Sequence, residues 1–429
     1  MQIIEERGFH ISTEPSTWFR LKTGAWLAYE SMKAHKLRTF LTLLGVIIGV
    51  GSVVLVGAAI EGLGVNAERT VSRAFGSESY LIAQLASPGQ ISRREIFEKL
   101  KRNKQIRPED YSYLKSTTGQ DVLYSPYQQK VDDVKSGDRT LEGANIIGVA
   151  SALSEIRDLG IAEGRFFTDQ EEQTRQQVAV IGDDFRTTFF EGLNPIGKTV
   201  KINGYDFVVV GVQERLGSSF GRSQDNSVYI PSPTFARLYG YPKSIAIFGR
   251  PRPGSNHTIE EALDITRVAL RTRFRTGPGK SDPFEFLTPD SIRGFIDRVL
   301  GLISVIVVPV TMISLIIGGI GIMNIMLVSV TERTREIGIR KSLGAQSKEI
   351  MLQFLLESLM VSALGGVLGL GFAAIVCELL TNLLNADLKI TLPYVFIALF
   401  VSSTVGVISG WYPAKRAASL NPIDALRTE

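Results

Sequence analysis

Two uncharged apolar stretches flank a dense run of charge, and that order leaves few folds open. From Val299 to Thr331 the chain carries no charged residue, and from Ser358 to Cys377 it again carries none. Between them runs TERTREIGIRKSLGAQSKEIMLQFLLES. About 20 mostly apolar residues suffice to cross the hydrocarbon core of a bilayer. Inside lipid the backbone must satisfy its own polar groups, so both stretches are expected to be helices. The charged segment holds Arg333, Arg335, Arg340, Lys341 and Lys348. Such basic enrichment beside membrane ends predicts a cytoplasmic face.

Mean hydropathy is only +0.12, which fits a few spans attached to a soluble domain. The expected order is a cytoplasmic N-terminus (1–39), a first span (40–60), an extracytoplasmic domain (61–298) and a second span (299–331). A cytoplasmic loop (332–357), spans at 358–378 and 392–412, and a cytoplasmic C-terminus (413–429) complete it. Lys33, Lys36 and Arg38 before span one, and Lys415, Arg416 and Arg427 after span four, set this orientation; the loop between spans three and four offers only Lys389, beside Asp387. Within the N-terminus, Trp18 to Leu37 spaces Leu21, Ala25, Tyr29 and Met32 as an amphipathic interfacial helix would. The predicted location is the cytoplasmic (inner) membrane, multi-pass. With no cleavable signal expected, span one would serve as the targeting signal.

From Glu61 to Arg298 there are 32 basic and 31 acidic residues. The external domain is therefore near neutral, and nothing in it resembles the basic stripe that nucleic acid requires. Cys377 is the only cysteine, so no disulfide forms within the chain. His10, His35 and His257 lie far apart, and no metal-ligand spacing occurs. No nucleophile elbow is present. No catalytic residue, metal or cofactor is expected.

The external domain reads as mixed α and β. Strand-like runs occur at 80–85, 177–181, 199–202, 207–212, 227–230 and 244–248, with Asn203–Gly204 as a hairpin turn. Helical patterns fit 108–116, 183–191, 233–238 and 259–274, and Thr288–Pro289–Asp290 opens another. Leu216 to Asn226 is Gly/Ser-rich and reads as a mobile loop. Gly192–Leu193–Asn194–Pro195–Ile196–Gly197–Lys198–Thr199 satisfies the spacing of a phosphate-binding loop. Such a loop leaves a strand and opens a helix. Here a helical pattern precedes it and a strand follows, so a plain turn is expected.

The spans contain Gly45/Gly49, Gly365/Gly369 and Gly406/Gly410, all at GxxxG spacing. These six are candidates for helix packing, within a subunit or across a dimer. Glu357 and Glu378, at opposite ends of span three, read as interfacial carboxylates.

The charged segment, the Gly-rich ALGGVLGLG of span three and the ending GWYPAKRAASLNPIDALRTE together resemble the FtsX-like permease domain of MacB-type ABC transporters. LRTFLTLLGVIIGVGSVV is similar to that family's first span, and GVASALSEIRDLGIAEGRFFTD with NPIGKTVKINGYDFVVVGV to its periplasmic core. The resemblance implies a four-helix membrane domain, helices one and two extended as a stalk, and an inserted α+β external domain of two lobes. It implies a non-catalytic permease, homodimeric, moved by an ABC ATPase to drive extrusion of an antibiotic, peptide or similar cargo. The family's type member carries its ATPase in the same polypeptide; no ATPase is legible here, so a separate subunit is expected. A periplasmic adaptor and an outer-membrane channel are further implied partners. The ATPase-coupling surface is expected at Glu332, Arg333, Arg335, Glu336, Arg340, Lys341, Ala345, Lys348, Glu349 and Ile350. Rival readings are a lipoprotein-release permease, which shares the four-helix plan, and a membrane-anchored sensor, whose signalling module is not legible here.

Overall fold

The computed structural model describes residues 36–76, 78–89, 91–219, 222–384, 388 and 390–427. The interfacial helix expected before Leu37 lies almost wholly outside them. The chain forms two compact units: Gly64–Val299, and Met1–Leu63 with Leu300–Glu429.

Helix α1 (Lys36–Phe75) comes first. Then follow β1 (Tyr80–Ala83), α2 (Arg93–Arg102), α3 (Pro108–Thr118), β2 (Val122–Ser136), β3 (Arg139–Val149), α4 (Leu153–Ile156) and β4 (Ile161–Gly164). Next are α5 (Asp169–Gln173), β5 (Val178–Ile181), α6 (Asp183–Phe189), β6 (Thr199–Ile202), β7 (Tyr205–Gln213), β8 (Ser218–Ser219) and β9 (Arg222–Ser223). The unit closes with β10 (Ser227–Pro231), α7 (Ser232–Tyr239), β11 (Ala246–Pro251), α8 (Ile259–Arg273) and β12 (Glu285–Leu287). The remaining helices are α9 (Pro289–Glu332), α10 (Thr334–Ser342), α11 (Ser347–Leu384), α12 (Leu392–Ser419) and α13 (Pro422–Arg427).

In Gly64–Val299 a single ten-stranded mixed sheet runs β12-β1-β11-β2-β3-β10-β5-β7-β4, with β6 joining β2 to β7. The two lobes therefore share one sheet. Alternation along the strands feeds a core on either face, as the two-residue strand period requires. In β5, Ala179 and Ile181 face the core that holds Phe185 of α6 and Phe235 of α7. Val178 and Val180 face the other side, among Val71 and Phe75 of α1 and Phe248 of β11. At the far end Tyr80, Tyr124 and Ile247 pack beneath α3 and α8 with Leu114 and Leu270. Tyr80 and Tyr124 hydroxyls both meet Thr266 Oγ1, at 2.6 and 2.7 Å, which satisfies them where they are buried.

The β6–β7 hairpin turns on Asn203 (φ 47°) and Gly204 (φ 83°), as Asn-Gly in a two-residue loop should. The β2–β3 hairpin was not anticipated. Its outer half is charged and solvated, so Lys130 to Arg139 shows no apolar strand pattern. At the base of the segment read as a mobile loop, the Asp225 carboxylate accepts from the Leu216 and Gly217 amides at 2.7 and 2.8 Å, beside the β8–β9 pair. The basic stretch from Arg93 is helix α2, capped by Ser92, with no buried residue.

Among the described residues four helices are long and apolar enough to cross a bilayer: Leu43–Arg73, Pro289–Glu332, Ser347–Leu383 and Leu392–Ser419. The 40 residues of α1 and 44 of α9 correspond to roughly 60 Å each at about 1.5 Å per residue, twice the roughly 30 Å hydrocarbon core. Each of the six singled-out glycines meets a helix of its own chain. A Cβ on Gly45 would lie 3.3 Å from Gly318 Cα, and one on Gly49 3.2 Å from Leu315 Cα, both in α9. Gly365 and Gly369 face α1, where a Cβ would come 2.7 Å from Val46 Cγ1 and 3.0 Å from the Ile47 carbonyl.

Between α11 and α12 the small residues form a zipper. Gly410 opposes Ser358, Gly406 opposes Ser362, and Gly366 opposes Ser402, in antiparallel register one turn apart. A Cβ on Gly406 or Gly410 would run into the facing serine Oγ. All three serines are fully buried. Ser358 and Ser362 donate to their own helix at Leu355 and Leu359 (2.9 Å each), and Ser402 donates across to the Ser362 carbonyl. Close backbones and satisfied hydroxyls hold this pair where no hydrophobic effect operates between helices.

Candidate functional site

The charged segment is mostly helical. Helix α9 ends at Glu332, and Arg333 (φ −100°, ψ 15°) leaves helical geometry before α10 begins. After Ser342 the chain turns on Gly344 at φ +97°, a conformation that any side chain would strain. Its amide bonds the Lys341 carbonyl, and the Ala345 amide bonds that of Arg340, both at 3.0 Å. The Glu349 carboxylate accepts from the Gln346 amide at 3.2 Å, which helps start α11.

Helix α10 is bolted on one side and open on the other. Ile337 and Gly338 face inward, Ile337 in a core with Ile350, Phe354, Ala414 and Ala417. Lys341 Nζ donates to the carbonyls of Ala418 and Leu420 at 2.6 and 2.8 Å, placing an ammonium at the negative end of α12. Arg340 pairs with Glu336 and donates to Gln353 Oε1 of α11 at 2.8 Å. Arg333 lies 3.5 Å from the buried Glu357. Such a pair stabilises little by itself, but removing one partner strands a buried charge. Helix α13 packs against α10 and buries Ala425.

Of the ten residues expected on a coupling surface, Glu332, Arg335, Glu336, Lys348 and Glu349 are exposed. Arg333, Arg340, Lys341 and Ala345 are half-buried. Ile350 requires correction: it is only 4% exposed and sits in the core beneath α10, so it cannot form part of an exposed surface. Sequence reasoning missed the apolar members of the open face. Leu343 is 84% exposed, Ile423 of α13 74%, and Ile339 is also exposed. Their signal was present, since an apolar residue among charges has no lipid to bury it. At the same end of α12, Lys415 stacks over the Trp411 ring at 5.1 Å, with Trp411 and Tyr412 half exposed. Aromatic and basic neighbours of this kind mark a membrane–water interface.

The phosphate-loop look-alike has the reversed order expected of it: α6 precedes and β6 follows. Its amides are also engaged. Gly197 N donates to the Val209 carbonyl at 2.8 Å, Lys198 N to Pro195 at 3.1 Å, and Ile196 N to the Asn194 side chain at 2.9 Å. Amides so used cannot cradle phosphate. Lys198→Ala should therefore leave any binding of ATP by the purified protein unchanged; a loss of nucleotide binding in a folded Lys198→Ala variant would reverse that assignment. Among the described residues no group of three His, Cys, Asp or Glu could hold a metal.

With this geometry in place, comparison with known proteins is decisive. Residues 39–264, more than half the chain, match the MacB-like periplasmic core domain, and residues 309–422 match the FtsX-like permease C-terminal domain. The chain belongs to the MacB/FtsX-like family of ABC permeases. The macrolide export ATP-binding/permease protein MacB of Bdellovibrio bacteriovorus is 32% identical over 405 residues, covering 94% of this permease and 61% of the relative. That of Psychrobacter cryohalolentis is 35% identical over 418 residues, covering 95% and 60%. The permease spans about three-fifths of the length of the curated relatives it matches. Among solved structures, the periplasmic region of MacB from Actinobacillus actinomycetemcomitans aligns at 20% identity with a TM-score of 0.41, covering 53% of the permease and 95% of that chain. The extracellular domain of the ABC-type transporter YknZ from Gram-positive bacteria aligns at 17% and 0.37, covering 49% and 100%.

Proposed function

We propose that the permease couples ATP hydrolysis, performed by an ABC ATPase on the cytoplasmic side, to movement of its Gly64–Val299 unit, and that this movement drives efflux. The observation that carries this reading is α10. Its open face, with Arg335, Glu336, Ile339 and Leu343, is tied through Arg333, Arg340 and Lys341 to α11 and to the end of α12. A push on that face would be passed to the membrane helices, because the ties leave α10 little freedom to yield alone. Exposed apolar residues ringed by charge suit a protein interface.

The names of the relatives, which join macrolide export to ATP binding, support efflux as the direction of work. On this reading the permease acts as a homodimer and catalyses nothing itself. Its termini and α10 face the cytoplasm and Gly64–Val299 faces outward, where a periplasmic adaptor and an outer-membrane channel could receive cargo.

Orientation is the first test, since ATP is available on one side only. In a Cys377→Ala background, single cysteines at Ser218 and Ser347 should label from opposite sides, Ser218 with an impermeant maleimide on intact cells and Ser347 only after permeabilisation. Labelling of both from outside would end this reading.

A further inference from the structure

Helix α2 is attached to the Gly64–Val299 unit by its charged side. A surface helix of a globular protein ordinarily buries an apolar stripe and turns its charge to water. Here Lys99 lies 3.0 Å and Arg102 3.6 Å from the Glu285 carboxylate, which also accepts from the Ala86 amide at 3.0 Å. Just past the helix, Asn103 Nδ2 donates to the Gln84 carbonyl at 2.8 Å and Gln84 Nε2 to that of Asn103 at 3.1 Å. The apolar stripe is left outside. Ile96, Phe97 and Leu100 share one side of the helix by their spacing, yet no residue of α2 is buried. Phe97, 70% exposed, is the most exposed large apolar side chain among the described residues of this unit, and Leu100 is exposed as well.

Charge, size and place together say what covers this stripe. The two acids of α2 are paired within the helix, Glu98 with Arg94 at 3.1 Å and Glu95 with Lys99 at 3.7 Å. Arg93 and Lys101 have no ion-pair partner among the described residues, and they stand one turn before and one turn after Phe97. An apolar stripe framed by cations is what a helix lying on an anionic bilayer presents. The stripe is too small for a stable protein partner: one aromatic side chain buries about 150–250 Å², and each side of such an interface gives about 800 Å². Its place is set by the loop that leads into it. A Cβ on Gly89 would run into the Phe295 ring of α9, and Phe295 stands one turn before Val299, where the uncharged run begins. Helix α2 starts four residues after that contact, so it is tethered beside the turn from which α9 enters its apolar span.

We propose that α2 docks on the surface of an anionic phospholipid bilayer, laying Phe97 and Leu100 among the headgroups with Arg93 and Lys101 on the phosphates. This contact needs only the apolar spans and stands whether or not the permease moves cargo. The experiment uses the full chain with Cys377→Ala and a nitroxide on Leu100→Cys, in nanodiscs of phosphatidylcholine with or without phosphatidylglycerol. Collision of the label with oxygen, which concentrates in lipid, is compared with collision with a water-soluble nickel chelate. With phosphatidylglycerol present the label should favour oxygen. Each cation near an anionic surface contributes about fivefold to binding. Arg93→Gln with Lys101→Gln, or omission of phosphatidylglycerol, should therefore lower the docked-to-free ratio at least about tenfold. Phe97→Ser should also release the helix and Phe97→Trp should keep it docked, with an unchanged melting midpoint marking the variants as folded. A label open to the nickel chelate in both lipids, or shielding indifferent to phosphatidylglycerol and to the two cations, would overturn the proposal. Strong dipolar coupling between labels on two copies would overturn it too, by giving the stripe to a second copy of the chain.

Discussion

Gly406→Leu should break the membrane unit apart at α11 and α12. A leucine there has no room, because Ser362 already occupies the space that even a Cβ would take and both backbones are fixed by contacts above and below. Overpacking of a filled core costs about 1–3 kcal/mol, occasionally more. For a domain of this size that corresponds to a loss of about 2–4 °C in melting midpoint per kcal/mol. Thermal unfolding of the purified protein in detergent measures it. The antiparallel register adds a sharper test: Gly406→Ser alone should also destabilise, and combining it with Ser362→Gly exchanges the two partners and should recover most of that loss. A double variant no more stable than the single one would mean that these helices do not meet in this register.

The second large effect concerns coupling. Glu336 and Arg340 form an i,i+4 pair on α10, and Glu336→Lys with Arg340→Glu keeps an ion pair on the helix while inverting the charges it displays. The exchange gives up only the Arg340–Gln353 bond, so the protein should still reach the membrane and fold. An interface built on the original charges would meet like charge instead, which costs several kcal/mol. On the function proposed above, the partner ATPase should no longer co-purify, and protection against an exported compound should be lost in a growth assay. Full recovery of the ATPase with wild-type growth would leave α10 as a topology signal and nothing more.

How much of this was legible from the sequence depended on whether a local pattern survived its surroundings. Asn203–Gly204 did, because a two-residue hairpin loop tolerates few other pairs. Helices α3 and α8 did, since Pro108 at one start and the Thr258–Glu261 capping box at the other mark them locally. The β2–β3 hairpin did not, because its outer half is solvated and its pairing is decided across the sheet. At the candidate site the charges were legible and their depth was not. Ile350 reads as one more residue of a charged segment until α11 is seen to begin at Ser347, which turns Ile350 toward Ile337 and Phe354. In the spans the glycines were found and their serine partners were missed. Ser358 and Ser362 sit one turn apart, and extending the small-residue rule to serine would have exposed the zipper.

The core behind the sheet also sets a timetable for biosynthesis. Val71 and Phe75 at its start share that core with Ile292 and Ile296, more than 200 residues later, and β1 finds its neighbours β11 and β12 only after residue 246 has been made. Contacts so distant in sequence form late and slowly. Until they form, β1 exposes two open edges and α1 an apolar face, the features by which nascent chains associate wrongly. Translation completes these partners only as α9 begins: β12 ends at Leu287, and Ile292 and Ile296 lie in the first turns of the helix that starts at Pro289. The unit therefore matures at the moment its second long helix emerges, and truncations ending before about residue 296 should yield aggregating chains rather than a smaller folded domain.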